Sequence, residues 1–330
     1  MTTILKYNLV FTVVLAFVGS GLNLAQAQTQ NKVVVIPMAG DDIAVTSEVR
    51  TPISSTPYNI NSPGSYYLTG NFNHSDTTTA AISVNANHAT LDMMGFVLTG
   101  PGKDSGGKAG VYMNGRTNVS IVNGTVREFG SHGIWEESTT ARDHRVINVR
   151  VYNNKNEGIR LSGLDHQLLA CSAQGNGDTG LYSTGMIINN TAVDNGLHGI
   201  YSGAGSILIN NTVRLNSRWG IFASGNSSLV EGNTVLGNNV SNSGSWGGGI
   251  TVDFGSRIVG NTLWNNKQKG ILLSGSRNII ESNHITGSNI GIYFDLGENA
   301  YRNNTAVGNT TAYGGGQFGL ATDGGGNLSY

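Results

Sequence analysis

Ten side chains capable of binding or acid–base work stand close to a recurring Gly-aliphatic pair in the middle of this 330-residue chain. His132, Glu157 and His198 directly precede Gly133, Gly158 and Gly199. Trp135, Arg160, Tyr182, Tyr201 and Phe222 stand two residues after such a Gly, Glu137 lies two past Trp135, and Asp178 two before Gly180. Three chemistries fit these residue types. Hydrolysis of a glycosidic bond needs two carboxylates, for which Glu157 with Asp178, or Glu137 with Glu157, are candidates. Removal of a proton beside a carboxylate needs a base and a group that neutralises the carboxylate. Arg160, with its guanidinium fork, flanked by His132, His198, Tyr182 and Tyr201, could supply both. The aromatic side chains offer flat apolar faces with polar tips, a surface that suits a sugar ring. A polar cluster on an exposed face is otherwise solvated surface, and a ring row otherwise stabilises its own sheet by cross-strand stacking.

The elements that position these residues follow from the period. Gly-aliphatic pairs recur at Gly110, Gly133, Gly158, Gly180, Gly199, Gly220, Gly249, Gly270 and Gly291, in steps of 19 to 29 residues. A period of about 20–30 residues marks a solenoid, in which each repeat buries its apolar face only against its neighbours. A second register holds Asn123, Asn148, Asn190, Asn211, Asn233, Asn261, Asn283 and Asn304, with Cys171 in the remaining repeat. Five residues later come Asn153, Asn176, Asn195, Asn216, Asn238, Asn266 and Asn309, with Glu128 and Ser288 as exceptions. Asn tolerates left-handed backbone at turns, and stacked amides bond from layer to layer. The runs between are short and β-branched, such as Ile207-Leu208-Ile209, and no stretch has helical spacing with caps. The Leu-rich signature of a leucine-rich repeat is absent. The chain therefore reads as all-β, a parallel β-helix of roughly ten to twelve coils.

Strand side chains alternate between faces. With the aliphatic residue after each Gly facing in, the next residue faces out. That outward column reads Tyr112, Trp135, Arg160, Tyr182, Tyr201, Phe222, Thr251, Leu272 and Tyr293, so six of its nine members are aromatic. Insertions at 101–109 and 239–248 lengthen the turn before Gly110 and Gly249. Loops that project from one face of a solenoid often flank its binding face. A third insertion, Glu137 to His144, follows Trp135.

The pattern Gly-Ile-x-x-x-Gly followed by Ile-x-x-Asn and a second Asn resembles the right-handed parallel β-helix repeat of the pectate-lyase-like superfamily. The resemblance covers roughly residues 60–310. Pro63 to Gly70, followed by Thr90 to Phe96, resembles the entry coils of secreted bacterial members, which carry Asn where Met94 stands. The resemblance implies a polysaccharide ligand and, among the activities of that group, lyase, epimerase or sugar hydrolase chemistry. The Asp-Pro-His-Asp stretch of uronan epimerases is absent, as is the Asn-Thr-Asp and Gly-His-Gly pair of polygalacturonases; Leu197-His198-Gly199 is a partial echo.

Composition sets the remaining bounds. Net charge is −1 with no basic block, which argues against nucleic acid. The single Cys171 excludes an intramolecular disulfide, and its place in the Asn register predicts a buried small residue. Scattered His and Asp/Glu residues suggest no metal site and no cofactor. Lys6, the apolar run Leu9 to Val18 and Ala25-Gln26-Ala27 read as a signal peptide over 1–27, too short for a membrane span. Residues 28–60 are then an N-terminal cap, 61–312 the β-helix and 313–330 a loose Gly-rich tail. The expectation is a secreted or periplasmic protein, free of the membrane after cleavage, that binds a linear, acidic polysaccharide. It would cleave or epimerise that polymer by β-elimination, or else bind it without catalysis as a cell-surface or extracellular structural protein.

Overall fold

The computed structural model describes residues 50–241 and 247–330. The leader expected at 1–27, most of the expected cap and the centre of the 239–248 insertion lie outside the described residues. The rest is almost wholly β. A 12-stranded parallel sheet takes one strand from each coil, from Tyr58–Ile60 to Thr311–Gly314. A 23-stranded sheet forms the remainder of the wall. All strand pairings that fix the candidate site are parallel, coil against coil: Trp135 opposite Tyr112 and Arg160, Tyr182 opposite Arg160 and Tyr201, Phe222 opposite Tyr201. Among the described residues the coils number twelve, the upper end of the expected range.

The Gly of each pair is dictated by crowding. A Cβ on Gly199 would lie 2.3 Å from Val213 Cγ1, 2.6 Å from Asn216 Nδ2 and 2.7 Å from the Gly220 carbonyl oxygen. Neighbouring coils approach too closely there for any side chain, so only Gly allows the amide to sit beneath. The next residue points into the core: Ile134, Ile159, Leu181, Ile200 and Ile221 are fully buried.

The amide rows exist, with one correction of register. Asn190, Asn211, Asn233, Asn261, Asn283 and Asn304 form one buried row, ending at Asn327. Cys171 heads it, buried as expected, its backbone N–H donating to Asn190. Asn123 and Asn148 do not belong. They are exposed, with φ of 57° and 54°, one residue before the row. Gly124 and Val149 stand opposite each other at the row position itself. The second row likewise starts at Asn154, which bonds Asn176, rather than at the left-handed Asn153. Two positions favour Asn for different reasons, the left-handed corner and the buried amide beside it.

The segment 313–330 is not loose. Thr322–Asp323 and Leu328–Ser329 pair with Ala300–Arg302 and Thr305–Val307, and Tyr313 and Phe318 pack against the core. Among the described residues no helix is long and apolar enough to cross a membrane.

Candidate functional site

The outward column lies where the alternation places it. Each member is partly exposed except Thr251, which is buried. Tyr112 and Trp135 meet edge to face at 5.4 Å; Tyr182 and Tyr201 stack at 4.7 Å and 5°; Phe222 meets Tyr201 edge-on at 5.2 Å. Thr251 and Leu272 interrupt the rings before Tyr293. The rings therefore run from Tyr112 to Phe222, interrupted once by Arg160, and not along the whole column.

Arg160 sits within it, its guanidinium 4.7 Å above the Tyr182 ring. Its Nη1 donates to Glu157 Oε1 at 2.7 Å. Glu157 Oε2 accepts from His132 Nε2 at 2.9 Å, and His132 Nδ1 lies 2.8 Å from Ser131 Oγ. The His132 ring in turn stacks on Trp135 at 4.4 Å. Five of these side chains thus form one connected group: Ser131, His132, Glu157, Arg160 and Trp135. Glu157 and His132 are buried and Arg160 is half-exposed. Burial alone would raise the Glu157 carboxyl. The bond from His132 and the charges of His132 and Arg160 win, and bring it down to about 2. It is a fixed anion at any ordinary pH, so it orients Arg160 and His132 rather than donating a proton.

The other expected residues are less closely joined. His198 is buried beside Phe222 at 5.3 Å and accepts the Trp219 backbone N–H at Nδ1. Burial, then the charge of Arg218, lowers it to about 4. Neutral, with Nδ1 occupied, it presents only an Nε2–H donor. Tyr182 is raised from its ordinary value by burial and by Tyr201, so its phenol also stays a donor. Glu137 is exposed and accepts from the Tyr112 hydroxyl. Asp178 closes its own turn onto Thr179 rather than reaching toward Glu157. The loop 101–109 does reach the site: a Cβ on Gly130, next to Ser131, would overlap the Gly106 carbonyl.

Sequence reasoning missed a second group, beneath the first. Glu136 is fully buried and points inward, at the position held by Met113 and Leu161 in adjacent coils. Its carboxylate accepts from the backbone of Gly115, Arg116 and Ser138 and lies 3.2 Å from His144 Nε2. Burial pushes its carboxyl up, and these bonds, led by His144, bring it below its ordinary value. His144 stacks on His166 at 5.0 Å, and each ring accepts a backbone N–H from the preceding coil. Counting three residues on from Gly133 would have placed Glu136 on the inward face. Among the described residues no three His, Cys, Asp or Glu side chains converge as metal ligands. The Cys171 thiol is pushed up to about 12 by burial and stays protonated.

Comparison with known proteins supplies the context. Residues 109–257 and 186–329 match the family model described as right handed beta helix region. No curated protein matches the chain. Among solved structures it is similar to two mannuronan C-5 epimerase A-modules of Azotobacter vinelandii, AlgE6 and AlgE4. Both are 14% identical over 85% of this chain, with TM-scores of 0.62 and 0.58, and the match covers 88% and 86% of those chains. The catalytic unit of an α-1,3-glucanase from Streptomyces thermodiastaticus is 18% identical over 82% of this chain and 62% of its own, with a TM-score of 0.55. At these identities the likeness is one of fold.

Proposed function

Since the chain belongs to the right-handed β-helix family, we propose that it is an exported protein that binds a linear, acidic polysaccharide along the outer face of its 12-stranded sheet. One observation carries the reading: a row of half-exposed rings from Tyr112 to Phe222 with Arg160 set among them. Coils stack about 4.8 Å apart, so successive rings follow one another along the solenoid axis in the direction a linear polymer would lie. The rings offer apolar faces to sugar rings, and Arg160 selects an acidic unit. The proteins similar in fold are named for polysaccharide substrates, a mannuronan and an α-1,3-glucan. An exported location agrees with the leader pattern in residues 1–27.

Catalysis is the second reading, and the buried Glu157 beneath Arg160 favours it. An arginine held by a fixed carboxylate and over an aromatic ring is pre-set to neutralise a substrate carboxylate before proton abstraction. Against it, His132 has both ring nitrogens engaged, and His198 and Tyr182 are donors. Binding without turnover is therefore the better-supported reading. The decisive experiment incubates the mature protein with alginate, polygalacturonate and neutral glucans. It follows binding by affinity electrophoresis and β-elimination by the absorbance of unsaturated ends. Retardation by the acidic polymers without new absorbance supports binding. New absorbance establishes a lyase, and no retardation by any polymer sinks the polysaccharide reading.

A further inference from the structure

The larger sheet carries a hollow of about 380 Å3 lined by Arg150, Val151, Tyr152, Asn153, Ser172 and Gln174. It arises from a step in side-chain length. Arg150 stands opposite Ser172 on the next coil, and Tyr152 opposite Gln174. A long outward side chain followed by a short one leaves space above Ser172. Gly175 shapes the rim: with φ of 64° and no Cβ, it lets Asn153 Oδ1 lie 2.6 Å from where a Cβ would be.

The chemistry of the lining is selective. Arg127, on the preceding coil, covers one face of Tyr152 at 5.7 Å and is tied to Thr99 and Glu128. Gln174 lies on the following coil, so the other face of the ring borders the hollow. Arg150 is exposed and, among the described residues, its guanidinium has no hydrogen-bond or ion-pair partner. A lone guanidinium, an aromatic face, two amides and a hydroxyl thus surround one small space. Ligand pockets span about 300–1,000 Å3, so this one suits a single sugar ring rather than a stretch of polymer.

We propose that this hollow is a second ligand site, separate from the aromatic row, that takes one uronic acid residue. The sugar carboxylate pairs with the fork of Arg150. The ring lies against Tyr152. Its hydroxyls bond to Ser172, Gln174 and Asn153. The proposal does not depend on polymer binding to the row, and its ligand is too short to occupy that row.

The test titrates sodium glucuronate, and glucose as the neutral control, into the full mature chain, with binding read by ligand-observed NMR. The wild type should bind glucuronate at least about tenfold more tightly than glucose. Arg150→Gln should lose about tenfold in glucuronate affinity with an unchanged melt, and Arg150→Lys should fall between. Arg277→Gln removes the same charge from a distant exposed site and should change nothing. Equal affinity of wild type and Arg150→Gln overturns the proposal. So does equal affinity for glucose and glucuronate, or no glucuronate binding at millimolar concentration.

Discussion

The coils after Cys171 and those before it are held at their turns by different chemistry. After Cys171 two of the three turns carry amide rows, the second broken at Ser288, while the third carries Gly185, Ser206, Ser228 and Ser256 before Asn278 and Asn299. Asn211 accepts from the backbone and side-chain N–H groups of Asn190 and donates to Asn233 Oδ1 and the Ile187 carbonyl. Its neighbours repeat the pattern. Before Cys171 the first amide row is missing. Gly124 and Val149 take its place, Met93 packs where a Cβ of Gly124 would be, and stacked His144 and His166 bond the third turn with Glu136. The reactive groups gather around the interrupted part: His132, Glu157, Arg160 and Trp135 on one face, Arg150 and Tyr152 on another. Amide rows satisfy the backbone and offer no charge. In the third turn stacked histidines accept the backbone N–H groups that Ser206 and Ser256 accept in later coils, and departures from a local rule tend to mark functional positions.

The sharpest way to break this comparison is to remove one amide from each half. Asn211→Ala leaves buried donors and acceptors on two coils unpaired and should cost about 3 kcal/mol, since each orphaned buried group costs about 1–3 kcal/mol. Asn148→Ala removes an exposed side chain with one amide contact and should shift the melt little. Equal melts for the two variants would end the distinction between row and corner. Glu136→Gln asks the same of the other half. It puts an NH2 group among backbone donors that now meet a carboxylate, and should cost about 2 kcal/mol. Thermal unfolding no different from wild type would show that the buried carboxylate holds nothing.

Acid acts on the titratable side chains of both halves and spares the amide rows, because amides do not titrate. His166 is lowered to about 4, by burial and then by the charge of His144, and His198 also to about 4. The unfolded chain takes up those protons first, near 6.5, so stability falls as pH drops from about 6.5 to 4. Glu157 works in a lower window. Its stabilisation is present above 4.5 and is lost as pH falls toward 2. Glu157→Gln should flatten the lower limb of a stability–pH curve and leave the upper limb intact. A lower limb unchanged in that variant would refute the role given to its ion pairs.

The same contrast explains what was legible in the sequence. The outward column followed from period and alternation alone, because every strand obeys both. Asn211 and Asn261 are buried as the register required. Asn123, Asn148 and Asn153 misled because a left-handed corner also favours Asn, one residue from the buried amide. Glu136 and His144 escaped notice because charged and ring side chains took positions that the repeat fills with Met, Leu, Ser or Asn. Ser131 joined the site only through its contact with His132, which no spacing rule encodes. Repetition makes a sequence readable; the site lies where repetition fails.

On the row itself the effects are smaller. Tyr182→Ala and Tyr201→Ala should each weaken polymer binding by about 1 kcal/mol, the scale of one aromatic contact. Their melts should move less than that of Asn211→Ala, since both rings are half-exposed. A binding loss matched by an equal loss of stability would assign the rings to self-stacking alone.

The smallest change and the finest test is Arg160→Lys. Lysine keeps the charge and enough length to approach Glu157, so the melt should shift by less than about 1 kcal/mol, as for a partly exposed ion pair. What it loses is the planar fork and the flat stack on Tyr182. If Arg160 reads a carboxylate, affinity for an acidic polymer should drop several-fold while affinity for a neutral glucan stays put. The ratio between the two polymers is the quantity to measure, because lost packing on Tyr182 alone would weaken both equally. An unchanged ratio would leave Arg160 as the partner of Glu157 and nothing more, and the selectivity for acidic units would then have to come from elsewhere on the face.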